Sequence, residues 1–244
     1  TLENSLKLKV SVIIAMRNEE QQIITLFKSL NNQTYPSSNW ELIIVNDHST
    51  DNTLNLVKKQ NFKNLLVLNL EEGEYGKKRA IEKAIKVSKG EIILTTDADC
   101  SFSPQWIHKM TSFFKEKKIQ FVAGPVYFYK RRGVFASLQT LEFTSLIGSG
   151  AAAIGNYNAI FCNGANMAYR KSVFYEVNNY EKDKSVSGDD VFFLHNVKNK
   201  YSQGIVFAKD NQAIVYTEAV QTLSKFINQR KRWTAKTTNY KDSH

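Results

Sequence analysis

Neither a disulfide framework, a leader peptide nor a histidine metal cluster is expected from this sequence. Cysteine occurs only at Cys100 and Cys162, which leaves no disulfide framework and fits a reducing compartment. Thr1 to Leu8 is polar and the first apolar run reads as a strand, so no secretory leader is expected. Proline occurs three times, and no Pro-rich linker, repeat or low-complexity tract divides the chain. His48, His108 and His195 lie far apart without ligand spacing, which argues against a zinc site. Neither a G-x-x-x-x-G-K-S/T loop nor a G-x-G-x-x-G turn after the first strand is present, so the usual P-loop and dinucleotide readings lack support. Charge is absent from Phe143 to Tyr169, a run longer than the roughly 20 residues a membrane span needs. Asn156, Asn158, Asn163, Asn166 and several Gly and Ser residues interrupt it, so a buried helix leading into a cleft-lining loop is expected instead.

What is present is an ordinary globular composition. The 244 residues are 42% apolar and 12% aromatic, enough for a sizeable core and wrong for a disordered chain. A net charge of +10 invites a polyanion: nucleic acid, a phosphorylated substrate or an anionic membrane surface. Much of that excess is Lys scattered over presumed helix faces, so a solvated surface is favoured and nucleic acid is not expected.

The first half alternates strand and helix. Strands are expected at Lys9 to Met16, Trp40 to Val45, Leu65 to Leu70 and Glu91 to Thr96, with helices at Glu19 to Leu30, Asn52 to Gln60 and Lys77 to Ser88. Strands this apolar between helices imply an α/β fold with a mainly parallel sheet covered on both faces. After Pro104 come a helix to about Lys115, a strand at Phe121 to Tyr129 and the uncharged run. A helix at Asp189 to Lys198, a strand at Ala213 to Thr217 and a basic helix at Leu223 to Tyr240 complete the pattern. The whole, 1–244, reads as one domain, with about 8–100 as a nucleotide-binding half and about 101–240 as an acceptor-binding half.

Ligands of such sheets gather beyond the carboxyl ends of the strands, and polar residues stand there. Arg17, Asn18 and Glu19 follow the first strand, Asn46, Asp47 and His48 the second, and Asp97 and Asp99 the fourth. Asp97-Ala98-Asp99 offers two carboxylates that can lean toward one hard cation, though such triplets are common in turns. Ser187-Gly188-Asp189-Asp190 opens a helix: one Asp suffices as a cap, and the second is free to act as a general base. Gln229-Arg230-Lys231-Arg232-Trp233 lies on the last helix; a surface charge run and simple packing are the plain reading, a diphosphate grip by Arg232 the functional one. Gly76-Lys77-Lys78-Arg79 begins a helix, where amides and cations suit phosphate. Asp47 has no capping duty in this reading, whereas Ser49, Thr50 or Asp51 would cap the following helix.

In this order the motifs resemble the family 2 glycosyltransferases, from Val10 to about Trp233. The resemblance implies a GT-A fold and an inverting transfer of sugar from a UDP-sugar or similar nucleotide-sugar donor to an acceptor hydroxyl. Mg²⁺ or Mn²⁺ is the implied cofactor. Ala15, Glu19, Asp47, Lys77, Asp97 and Arg232 would bind the donor, with Asp99 and Asp97 holding the metal. Asp190 would be the general base and Asp189 its neighbour. Asn163, Gly164, Ala165, Gln229 and Trp233 would face the acceptor. Asn46 departs from the family, which usually carries a second Asp there. The Q-x-x-R-W motif is common in membrane-associated members, which implies a glycan or lipid-linked acceptor and a cytoplasmic place at the inner face of the cell membrane. Either the basic last helix on anionic headgroups or a span beyond this fragment would hold it there. The rival readings are a nucleotidyltransferase, a non-catalytic basic polyanion-binding module and a sugar-nucleotide sensor without turnover.

Overall fold

The computed structural model describes residues 8–130, 132–177 and 189–237. Four parallel strands form its first half: β1 (Val10–Met16), β2 (Trp40–Asn46), β3 (Leu65–Asn69) and β4 (Ile92–Thr95), in the spatial order β3-β2-β1-β4. Between them run α1 (Ile23–Asn31), α2 (Thr53–Lys58) and α3 (Gly76–Val87). Side chains alternate across each strand, and here both faces are covered. Val10, Val12, Ile14 and Met16 of β1 join one apolar layer with Leu26 and Phe27 of α1. Ile13 joins the opposite layer with Ala80, Ala84 and Ile85 of α3. Because neither face meets water, these strands need no polar alternation, which is why they read as continuous apolar runs.

The second half extends that sheet. It comprises β5 (Ser101–Phe102), α4 (Trp106–Thr111), β6 (Phe121–Ala123), β7 (Val126–Phe128), α5 (Val134–Gly155), β8 (Met167–Arg170), α6 (Lys171–Val177), α7 (Asp189–Lys200), β9 (Ile205–Phe207), β10 (Val215–Thr217) and α8 (Leu223–Thr237). The main sheet has the order β3-β2-β1-β4-β8-β6-β9, with β8 antiparallel to both neighbours; a smaller sheet has the order β5-β10-β7.

Several expected boundaries move. The strand expected over Phe121 to Tyr129 is two, β6 and β7, in different sheets. Pro125 cannot donate to a ladder, and Gly124 packs so tightly on Asn166 that a Cβ there would lie 2.3 Å from its amide nitrogen. The helix expected from Glu19 begins only at Ile23, after a turn in which Asn18 adopts φ +56°. Glu19 is thereby left in a loop. The uncharged run ends in β8, a central strand, rather than in loop alone. Its helix, α5, starts earlier at Val134 and buries only one stripe, Gln139, Phe143, Ile147, Gly150 and Ile154, while Val134, Leu138 and Leu141 are exposed. Among the described residues no helix is long and apolar enough to cross a membrane. The expected strand at Ala213 opens with a 3₁₀ turn, Asn211–Ala213, before β10. Residues 238–240 of the expected last helix lie outside the described residues.

Asn166 joins the two sheets. Fully buried, its amide donates to the carbonyls of Pro125 and Ala213, both at 2.8 Å, and its Oδ1 accepts from Trp106 Nε1 at 3.0 Å. Replacing it by alanine strands three buried polar groups, each worth about 1–3 kcal/mol when unpaired. Asn166→Ala is therefore expected to lower the melting temperature by about 9 °C, from a loss of about 3 kcal/mol. A change within 1 °C in calorimetry would show that the amide is replaceable.

Candidate active site

The site is assembled at the carboxyl edge of β1, β2 and β4. Met16 pairs with Asn46, and Asn46 with Asn69, so the loops after these strands leave the sheet side by side. Side chains then zip the first two loops together. The amides of Asn18, Glu19 and Glu20 donate to Ser49 Oγ, Thr53 Oγ1 and Asp51 Oδ2, and Asn18 Oδ1 accepts from the Thr50 amide at 2.8 Å. Asp51 Oδ1 also accepts from the Thr53 amide at 3.0 Å, although the N-cap position of α2 is Asn52, which makes no side-chain cap bond, rather than Ser49, Thr50 or Asp51.

Asp47 carries a structural duty that its sequence position does not suggest. Its Oδ2 accepts from the Gly76 amide at 3.0 Å, where α3 begins, and its Oδ1 faces His48 Nδ1 at 3.1 Å. The expectation that Asp47 is free of capping is thus corrected: a carboxylate distant in sequence accepts from the first amide of α3. Asn46 ties the ends of β2 and β3 together, its Nδ2 donating to Asn69 Oδ1 at 3.0 Å, while its Oδ1 accepts from the Ser49 amide at 3.2 Å.

The next residue of α3, Lys77, forms an ion pair with Asp97 Oδ1. Withdrawal from water opposes its charge, but Asp97 and then Asp190 outweigh that and hold the ammonium pKa above its ordinary value. Asp99 lies beyond, its Oδ2 accepting from Thr217 Oγ1 of β10 at 2.8 Å. Burial, then the charge of Asp97, raises the Asp99 carboxyl above the usual range. Glu19 feels the same crowding: burial first, then Asp99, Asp97 and Asp51, push it up to about 7. Asp190, in the first turn of α7, accepts from the Gly164 amide at 3.0 Å through Oδ2 and from the Val191 amide at 3.0 Å through Oδ1.

Two carboxylates on one turn suit a hard divalent cation chemically. Among the described residues no three His, Cys, Asp or Glu side chains converge as a metal cage. Asp97 and Asp99 would hold such an ion only together with oxygens from elsewhere, such as diphosphate and water.

The structure therefore joins Asp97, Asp99, Glu19, Lys77, Asp190 and Gly164 through contacts and fields, and it ties Asp47 to the same helix start. Ala15 is half-buried in β1, and Ala165 is buried in the core. The side chains of Asp189 and Arg232 lie outside the described residues. Gln229 and Trp233 belong to a seam between α5 and α8. There Arg230 donates to Glu142 through Nε and Nη2 and to Gln229 through Nη1, and it lies over the Trp233 ring at 4.1 Å; Trp233 packs on Phe143. Sequence reasoning missed Thr217 and the Glu142–Arg230 pair, since neither belongs to a local motif.

The sequence model described as Glycosyl transferase family 2 matches residues 11–177. The chain is 32% identical over 133 residues, 54% of its length, to the poly(ribitol-phosphate) beta-glucosyltransferase of Bacillus spizizenii, and it spans about a fifth (21%) of that relative. It shares a fold with the mannosyltransferase PcManGT from Pyrobaculum calidifontis in complex with GDP-Man and Mn²⁺, with a TM-score of 0.72 at 16% identity, covering 98% of this chain and 67% of that one. S. aureus TarS 1–349 in complex with UDP-GlcNAc is likewise similar, with a TM-score of 0.65 at 22% identity, covering 97% and 68%.

The raised Glu19 carboxyl has a thermodynamic consequence. Its folded pKa of about 7 stands above the model-acid value of 4.5, so between those values the folded state holds a proton that the unfolded state releases. Its contribution to stability thus falls as pH rises from about 4.5 to about 7. With chelator present, Glu19→Gln is expected to raise the melting temperature at pH 8 and to leave it unchanged at pH 4.5. A benefit equal at both pH values would overturn the assignment.

Proposed function

The chain belongs to glycosyl transferase family 2, and from that premise we propose that it transfers a sugar from a nucleotide-sugar, UDP-linked, to an acceptor hydroxyl with inversion at the anomeric carbon. The fold is the GT-A type, a mainly parallel sheet flanked by helices. What supports the reading above all is Lys77, whose charge is shared between Asp97 and Asp190. One cation thereby relates the carboxylate that follows β4 to the carboxylate that opens α7.

In this reading residues about 8–100 receive the nucleotide and about 101–240 the acceptor. Ala15, Glu19 and Asp47 line the nucleoside. Asp97 and Asp99 hold Mg²⁺ or Mn²⁺, which when bound offsets negative charge on the diphosphate. Lys77 and Arg232 face the same diphosphate and stabilise it as it leaves. Asn163, Gly164, Ala165, Gln229 and Trp233 border the acceptor. The acceptor oxygen forms its bond to the anomeric carbon as the bond to the diphosphate oxygen breaks. Its proton passes to a free lone pair of Asp190, with Asp189 alongside. The reacting sugar passes through an oxocarbenium-like state. The product nucleotide carries away the electron pair of the broken bond.

The acceptor class is a glycan or a lipid-linked molecule, and the working place is the cytoplasmic face of the cell membrane. Support comes from exposed apolar rows at helical spacing: Val134, Leu138 and Leu141 on α5, and Leu223 and Ile227 on α8. These two helices pack side by side through Phe135 on Phe226 and Phe143 on Trp233. Exposed Arg132 and Lys231 flank them and suit anionic headgroups.

Three measurements test these readings. With UDP-glucose, UDP-N-acetylglucosamine and GDP-mannose as probes, Mn²⁺ is expected to permit nucleotide release and raise the melting temperature, and a chelator to abolish both. Asp190→Asn is expected to lower turnover by roughly 10²–10⁴-fold while donor protection persists; undiminished turnover in that variant removes Asp190 as the base. Separately, the protein is expected to co-sediment with vesicles rich in phosphatidylglycerol and to do so less when Leu141 and Ile227 are changed to Glu. Equal sedimentation with pure phosphatidylcholine, or none with either, rejects the lipid surface.

A further inference from the structure

Gly164 stands closer to the chemistry than a loop residue needs to. Its φ is not positive, the described glycines with positive φ being Gly73, Gly76 and Gly133. The backbone at 164 is therefore open to other residues, and the reason for glycine must lie in its surroundings. A Cβ there would lie 3.2 Å from Asp190 Oδ2, 3.3 Å from Asp190 Cβ and 3.4 Å from Lys77 Nζ. The missing side chain is the space that the carboxylate and the ammonium share.

Both polar groups of Gly164 are committed. Its N–H donates to Asp190 Oδ2 at 3.0 Å, and its carbonyl accepts from the buried hydroxyl of Thr95 at 3.0 Å. Thr95 ends β4, two residues before Asp97. One peptide unit on each side of Gly164 thus links the strand that delivers Asp97 to the carboxylate of Asp190. The loop has little freedom to drift: Asn163 Oδ1 accepts from the Ala165 amide at 3.0 Å, and the Asn166 amide donates to the Asn163 carbonyl at 2.9 Å. Asn166 is in turn fixed between the two sheets.

We propose that Gly164 is a positioning residue: its amide aims the Asp190 carboxylate, and its lack of a side chain lets Lys77 stand against the same group. A carboxylate oxygen has two lone pairs. With one engaged by the Gly164 amide, the rotation of the Asp190 side chain is restricted and the remaining lone pairs point in set directions. A charge-assisted hydrogen bond from a fixed backbone donor is stronger than a neutral one, and it needs no reorganisation during reaction. This role rests on the reading of Asp190 as the base.

The test uses whichever of UDP-glucose, UDP-N-acetylglucosamine or GDP-mannose the parent protein consumes with Mn²⁺. Gly164→Ala is expected to lower kcat about 30-fold, in line with a misplaced catalytic group, while the donor KM and the protection by nucleotide against melting stay within twofold. Thr95→Val, which keeps the shape but frees the Gly164 carbonyl, is expected to lower kcat about fivefold with the same unchanged KM. Placed in an Asp190→Asn background, Gly164→Ala is expected to add no further loss, because its effect runs through Asp190. An additive further loss, or a fall in donor protection that parallels kcat, indicates general damage and overturns the proposal. So does a Gly164→Ala kcat within twofold of the parent when Asp190→Asn is inactive. Should Asp190→Asn itself retain turnover, the base reading fails first, independently of Gly164.

Discussion

Carboxylates gathered at one edge of a sheet repel one another, and withdrawal from water makes each charge harder to hold. Glu19 and Asp99 illustrate both effects, with Glu19 pushed up to about 7 by burial first and then by Asp99, Asp97 and Asp51. Lys77 relieves the strain. Its ammonium pairs with Asp97 and lies within the field of Asp190. Because Lys77 is the second residue of α3, the position of that helix decides whether the acidic groups can coexist. Asp47 fixes the helix start from the neighbouring strand, so the carboxylates that follow β4 and the one that opens α7 share one mechanical reference.

A second constraint concerns loops that carry charge yet must not move. The segments after β1 and β2 bond to each other amide to side chain, so neither can open alone. Across the site, Asn166 does the equivalent work with a buried amide that reaches α4, the β6–β7 corner and the turn before β10. Buried polar groups of this kind are stabilising only when every partner is in place. The Asn163–Asn166 loop inherits its rigidity from that hub, and the amide of Gly164 inherits its direction from the loop.

The α5–α8 seam follows a different logic. Arg230 is held between the rings of Phe226 and Trp233 while both its terminal and inner nitrogens engage Glu142. The guanidinium face binds the aromatic rings and its edge binds the carboxylate, so charge and apolar packing are satisfied together. The result is a joined pair of helices that leaves Val134, Leu138, Leu141, Leu223 and Ile227 exposed among polar residues, while Gln229 accepts from Arg230 and Trp233 packs on Phe143.

How much was legible in the sequence depended on whether the deciding contact was local. The four parallel strands, the helices between them and the acidic residues beyond their ends are visible from periodicity and spacing, because burial on both faces imposes continuous apolar runs. The family resemblance rests on residues that chemistry holds at fixed intervals, such as Asp97 and Asp99. By contrast, β8 lay hidden in an uncharged run, and the break between β6 and β7 depended on Asn166, distant along the chain. The capping of Gly76 by Asp47, the bond from Asn46 to Asn69, the bond from Thr217 to Asp99 and the approach of Gly164 to Asp190 had no local signal. Sequence by itself determined which groups exist and on which elements they ride, since those follow from short-range sterics and burial. Only the tertiary structure decided which charges face each other, because that depends on how strands far apart in the chain come to lie side by side.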